Sequence, residues 1–211
     1  MMVIPLLPLQ AAWSNARLRL VGIALVCIGF MGTTVVMAPT ASGLLAAGFM
    51  PVLAAIALID GRHFIIPDGL NATGLLLGLV YATAFGINAA EGLLAALLRG
   101  GTTALLFLTL RVSYRALRGR EGLGLGDVKL AGVAGLWLSP LAIAIAVEIA
   151  ALSGLLACGL AALLAGRVPQ AAARLPFGLF FAPAIAIALI LDLWLSGADM
   201  SLVHALPGAP P

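Results

Sequence analysis

Glu121-Gly122-Leu123-Gly124-Leu125-Gly126-Asp127-Val128-Lys129-Leu130 is a glycine-rich run that closes on a carboxylate and then enters an apolar segment. An upstream stretch, Ile59-Asp60-Gly61-Arg62-His63-Phe64-Ile65-Ile66-Pro67-Asp68, leaves one apolar segment through an aspartate and enters the next through another. Glycines permit backbone conformations and close approaches that side chains forbid. A turn of this kind, leading into a helix, is suited to holding Asp127 beside an extended peptide. Only 9% of the 211 residues are charged and 63% are hydrophobic, so acids at the ends of apolar spans need a reason.

A mean hydropathy of +1.19 with so few charges does not describe a soluble domain, where about a quarter of residues are charged. The apolar runs, each about 17–25 residues long, predict an all-α, polytopic integral membrane bundle. A β-barrel needs short segments of alternating polarity, and none is present. The formal charge of +3 comes from arginines in the loops between spans. It reads as a topology signal and not as a nucleic-acid surface. Cys27 and Cys158 stand alone inside apolar spans, with no Cys or His at metal-ligand spacing. They read as small apolar residues, and neither metal nor cofactor is expected. Met1–Gln10 carries no charge and no small-residue cleavage site, so no cleaved signal peptide is expected.

Residues 1–19 form a proline-broken interfacial segment ending in Trp13, Arg17 and Arg19. About seven transmembrane helices follow within 20–196. They are predicted near 20–38, 43–60, 69–87, 91–110, 127–138, 140–165 and 177–196. Residues 197–211 read as a flexible tail. With Arg17 and Arg19 in the cytoplasm, alternating spans place Arg62, Arg111, Arg115, Arg118, Arg120, Lys129, Arg167 and Arg174 there too. The loops of the opposite side, near 39–42, 88–91 and 197–211, hold no Lys or Arg. The same count puts Asp60, Asp68 and Asp127 on the cytoplasmic side.

An acid at a span's end costs less than one at the bilayer centre, where the penalty is about 2.5–3.5 kcal/mol. Asp60 alone therefore reads equally well as an interfacial residue without a task. A pair of neighbouring carboxyls, however, cannot both ionise, and such a pair hydrolyses amides. The ionised member takes a proton from the attacking water, and the protonated member hydrogen-bonds the carbonyl and helps protonate the leaving amine. The two titrations belong to the pair, so acid and base are not assigned individually.

Gly124-Leu125-Gly126-Asp127 resembles the Gly-x-Gly-Asp motif of intramembrane aspartyl peptidases. Asp60 with Ile66-Pro67-Asp68, then Gly-x-Gly-Asp-Val-Lys-Leu, and then Arg174-Leu175-Pro176-Phe177-Gly178 is similar to the type IV prepilin peptidase family. The likeness covers roughly residues 43–195. It implies a six-helix peptidase core, here with one extra N-terminal helix, and Asp60 and Asp127 as the catalytic pair. It further implies supporting or substrate-binding places for Gly124, Gly126, Lys129, Pro67, Asp68, Pro176, Phe177 and Gly178. The implied reaction removes the basic leader from type IV prepilin-like or pseudopilin precursors at the cytoplasmic face of the bacterial inner membrane. Long members also carry a cytoplasmic domain with two Cys-x-x-Cys pairs that bind zinc, and they methylate the new N-terminus. Neither pair occurs in this sequence, so a short form without zinc is expected, and the sequence leaves methyl transfer open.

Other polar residues have plainer readings. Lys129 either steadies a carboxylate or anchors at the interface. Arg62 and His63 solvate a loop, and the arginines of 111–120 orient the chain and meet lipid phosphates. Glu148 and Asp192 are expected to face the bundle interior or an aqueous end. Arg99 has Glu91 and Glu148 as possible partners. Gly74 and Gly78 are spaced for close helix packing. Two other classes fit less well: a proton- or cation-coupled carrier, which lacks the expected internal repeat, and a catalytically silent assembly factor.

Overall fold

Within a bilayer each spanning segment must pair its own backbone N–H and C=O groups, so apolar runs become helices. The computed structural model describes residues 16–38, 41–85, 88–165 and 176–205, with side chains over 22–38, 41–84, 88–164 and 176–196. Arg174, Leu175 and the first fifteen residues of the interfacial segment lie outside the described residues. Among the described residues seven helices run in order: α1 (Ala16–Met37), α2 (Ala41–His63), α3 (Asp68–Phe85), α4 (Ala89–Arg118), α5 (Leu125–Trp137), α6 (Pro140–Ala165) and α7 (Phe177–Ala205). Among the described residues there is no strand. Helices α2, α4, α6 and α7 are long and apolar enough to cross a membrane, and Gly22–Met37 of α1 is a shorter apolar helix. The chain is a polytopic helical membrane bundle. Helix α7 continues to Ala205, into the segment read from sequence as a tail.

Helix α4 outruns its predicted span by two turns, ending at Gly119, whose φ of +66° closes the helix in the left-handed region. The sequence places a loop from residue 111, where the run of Arg111, Arg115, Arg118 and Arg120 begins. Leu, Ala and Arg are good helix formers, however, and carry the helix on to Arg118. The loop that remains is only 119–124.

Helix α5 is the centre. Its 13 residues rise only about 20 Å, less than the hydrocarbon core of about 30 Å, and it packs against α3, α4, α6 and α7. Nine of its residues, Asp127 and Trp137 among them, are buried. Trp137 stacks on Phe49 of α2 at 4.4 Å between ring centroids and donates to the Gly74 carbonyl of α3 at 3.0 Å. Glycines let α4 and α5 touch backbone to backbone, since a Cβ on Gly135 would lie 2.7 Å from the Arg99 carbonyl oxygen.

The break between α5 and α6 uses the polar residues whose partners the sequence left open. Arg99 donates Nε–H to the Gly135 carbonyl at 3.3 Å, the end of α5 where free carbonyls favour a cation. Asp192 of α7 accepts from Ser139 N–H at 2.9 Å and from Ser139 Oγ at 2.7 Å, just before α6 begins. Glu148 departs from expectation and is exposed on the outside of α6. Ala142, Ala146, Ala150 and Gly154, four residues apart, are the buried face. Two residues on from Ala146 is about 200° around the helix, the opposite side.

Candidate active site

Asp60 stands in the last turn of α2, where a helix C-terminus disfavours an anion. The compensation comes from another helix. Oδ2 of Asp60 accepts the Leu179 N–H at 3.0 Å, one of the free amides at the start of α7. Gly178 makes this approach possible, because a Cβ there would lie 2.9 Å from Asp60 Oδ2 and 2.9 Å from Ile66 Cδ1. The Pro176-Phe177-Gly178 segment thus serves as a seat for Asp60. Pro176 is buried, and the Phe177 ring meets Phe181 and Phe107 at 5.1 and 6.2 Å.

Asp127 lies in the first turn of α5, which favours an acid. Its Oδ2 accepts the Gly124 N–H at 3.0 Å, so the carboxylate caps its own helix. Oδ1 is buried and without a hydrogen-bond partner among the described residues. Asp60 and Asp127 are only 5% and 8% exposed. Asp127 feels the charge of Asp60 and that of Arg111.

The loop between α2 and α3 brings the two acids into one site. Phe64 leaves α2 with φ at +56°, an unusual conformation for a bulky residue, and its N–H returns to the Asp60 carbonyl at 2.8 Å. Ile65 is then exposed and Ile66 is buried. Ile66 packs on both neighbours of the acids: a Cβ on Gly126 would stand 3.0 Å from Ile66 Cβ, and Ile66 Cδ1 reaches Gly178. The carbonyl of Pro67 accepts from Leu70 N–H at 3.1 Å and Asn71 N–H at 3.3 Å, opening α3. Lys129 Nζ meets Asp68 Oδ1 at 2.6 Å, an ion pair with both side chains more than half exposed. Asp60, Pro67, Asp68, Gly124, Gly126, Asp127, Lys129 and Gly178 therefore collect at one end of the bundle. Asp60 and Asp127 are buried inside, and the Lys129–Asp68 pair is on the rim.

Three contributors were not read from the sequence. Ile66 stands in the motif that carries the resemblance but has no role there, Asn71 is one polar residue of a span, and Arg111 is one of four loop arginines. Arg111 is almost buried, its side chain 12% exposed. It donates to the Leu123 carbonyl and to Glu121 Oε1, holding the glycine-rich loop against α4. The extension of α4 to Arg118, which the structure shows, is what separates Arg111 from its neighbours, since Arg111 stands two turns before the helix end.

Comparison with known proteins follows the same residues. The model of the type IV leader peptidase family matches residues 47–165, more than half of the chain and inclusive of both acids. The chain belongs to the type IV leader peptidase family. It is 36% identical over 152 residues to a prepilin leader peptidase/N-methyltransferase of Burkholderia pseudomallei, covering 72% of this chain and 47% of that protein. It is 33% identical over 143 residues to the prepilin leader peptidase/N-methyltransferase of Pseudomonas aeruginosa, covering 65% of this chain and 46% of that one. Leader peptidase HopD of Escherichia coli is 35% identical over 81 residues, 38% of this chain and 50% of HopD. The chain spans about half the length of these curated relatives. No solved structure matches it. The family match ends before Pro176-Phe177-Gly178, yet Gly178 and Leu179 are the residues that touch Asp60.

Proposed function

We propose that this member of the type IV leader peptidase family is a membrane aspartyl endopeptidase. It removes the leader from type IV prepilin-like or pseudopilin precursors at the cytoplasmic face of the bacterial inner membrane. The observation that carries the reading is the setting of the two acids. Both are buried, they sit on either side of Ile66, and each has one oxygen accepting a backbone N–H. The arginine distribution supports the cytoplasmic orientation, and the family supports a prepilin-type substrate.

In the reaction one member of the Asp60–Asp127 pair carries the proton and the other is ionised. The ionised carboxylate takes a proton from water as the oxygen attacks the scissile carbonyl carbon. The protonated carboxyl hydrogen-bonds the carbonyl oxygen as charge develops there. On collapse the C–N bond breaks and the leaving nitrogen receives a proton from the pair. The products are a carboxylic acid and an amine, and the pair is ready to repeat. Backbone amides fix one oxygen of each carboxylate, so the geometry is set before the substrate arrives.

Purified protein mixed with a pilin-like precursor tests this by mass shift of the precursor. Wild type shortens the substrate, and Asp60→Ala and Asp127→Ala leave it whole. An Asp60→Ala variant that still cuts, beside an Asp68→Ala variant that does not, would assign the partner of Asp127 differently.

A further inference from the structure

Two buried side-chain oxygens without a hydrogen-bond partner stand out among the described residues, Asp127 Oδ1 and Asn71 Oδ1. They belong to the same corner. Asn71, 5% exposed in the first turn of α3, places Nδ2 at 3.5 Å from the Gly126 carbonyl, the peptide that leads into Asp127. That contact also fixes which way the amide points, since the reverse assignment would set oxygen against oxygen. A buried acceptor left unpaired costs stability, and a membrane span gives Asn no packing reason that Leu would not serve better. Asp127 shows the same economy, with Oδ2 committed to Gly124 N–H and Oδ1 free.

Two acceptors beside one peptide suit a ligand with two donors. Water has two O–H groups, and a buried water needs at least two polar partners. We infer that Asn71 is a substrate-water binding residue of the proposed peptidase: its Oδ1 accepts one O–H of the attacking water while Asp127 Oδ1 accepts the other. When Asp127 is the ionised member of the pair, it withdraws its proton from that water while Asn71 holds the second O–H and so turns the oxygen lone pair toward the scissile carbonyl. The Nδ2 contact to Gly126 keeps the amide in this orientation. No proton passes through Asn71, so the hydrolysis is balanced as already written.

This inference rests on the peptidase reading, and the test separates the two. Steady-state cleavage of a pilin-like precursor is measured for wild type, Asp60→Asn, Asp127→Asn, Asn71→Leu, Asn71→Ala and Asn71→Asp in detergent, each checked for folding by its melting temperature. Wild type that cuts nothing, or an aspartate variant that cuts normally, overturns the peptidase reading itself. With those controls intact, Asn71→Leu is expected to lose about 100-fold in kcat, the scale of a misplaced reactant, with KM unchanged. Asn71→Ala gives the same result without added bulk, should the Leu variant fail to fold. Asn71→Asp keeps the acceptor oxygen but sets its other oxygen against the Gly126 carbonyl, and recovers part of kcat. Three results would overturn the inference: normal kcat in Asn71→Leu or Asn71→Ala, a rise in KM alone, or an Asn71→Asp variant as impaired as the others. The last would show that the Nδ2 tether to Gly126 is what matters.

Discussion

A single missing carbon at Gly178 decides whether Asp60 can rest on the start of α7. Gly178→Ala would press a methyl against Asp60 Oδ2 and Ile66 Cδ1, both within 2.9 Å. Neither neighbour is free to yield, since Asp60 is held by Leu179 N–H and Ile66 is buried. Precursor cleavage by Gly178→Ala is therefore expected to fall at least about tenfold, the cost of a small misplacement, while the protein still folds. A normal rate would mean that Asp60 need not keep this seat. Lys129 lies at the other extreme. Its pair with Asp68 is short but exposed, and exposed pairs contribute about 0–1 kcal/mol. Lys129→Ala should leave the melting temperature nearly unchanged, and an activity loss larger than its stability loss would point to contact with substrate.

At the level of elements, α5 is held from both ends by charges borrowed from other helices. At its start, Arg111 of α4 grips the loop through Leu123 and Glu121. Arg111→Met would strand the Leu123 carbonyl, a loss of about 1–3 kcal/mol. The consequence should be local: faster hydrogen exchange at Gly124, whose N–H bonds Asp127, and slower cleavage. Unchanged exchange at Gly124 would remove Arg111 from the site. At the far end, Asp192 caps the approach to α6 through Ser139. Asp192→Leu should lower the melting temperature through a similar loss while sparing KM, because the break lies at the opposite end of α5 from Asp127. A selective rise in KM would contradict that.

For the whole molecule, the arginine count predicts sidedness. In a chain with Cys27 and Cys158 replaced by Ala, Asn88→Cys should react with a membrane-impermeant maleimide in intact cells. Arg118→Cys should react only after permeabilisation; both positions are exposed. The reverse pattern would invert the orientation and overturn the cytoplasmic placement proposed for the site. Much of this architecture was legible in the residues themselves. Seven apolar runs in a chain with 9% charge leave little alternative to helices, because lipid offers the backbone no hydrogen bonds. Asp60 and Asp127 stood out because carboxylates are rare and costly in such a chain. What only the tertiary structure decided is how they meet. A helix C-terminus and a helix N-terminus far apart in sequence share a site because Ile66 fits between two glycines. Asp60 draws its hydrogen bond from α7, and Asn71 and Arg111 turn toward α5. Packing between helices depends on which face each presents and on where a Cβ is missing. No local pattern in a nearly uniform apolar sequence records which faces will meet.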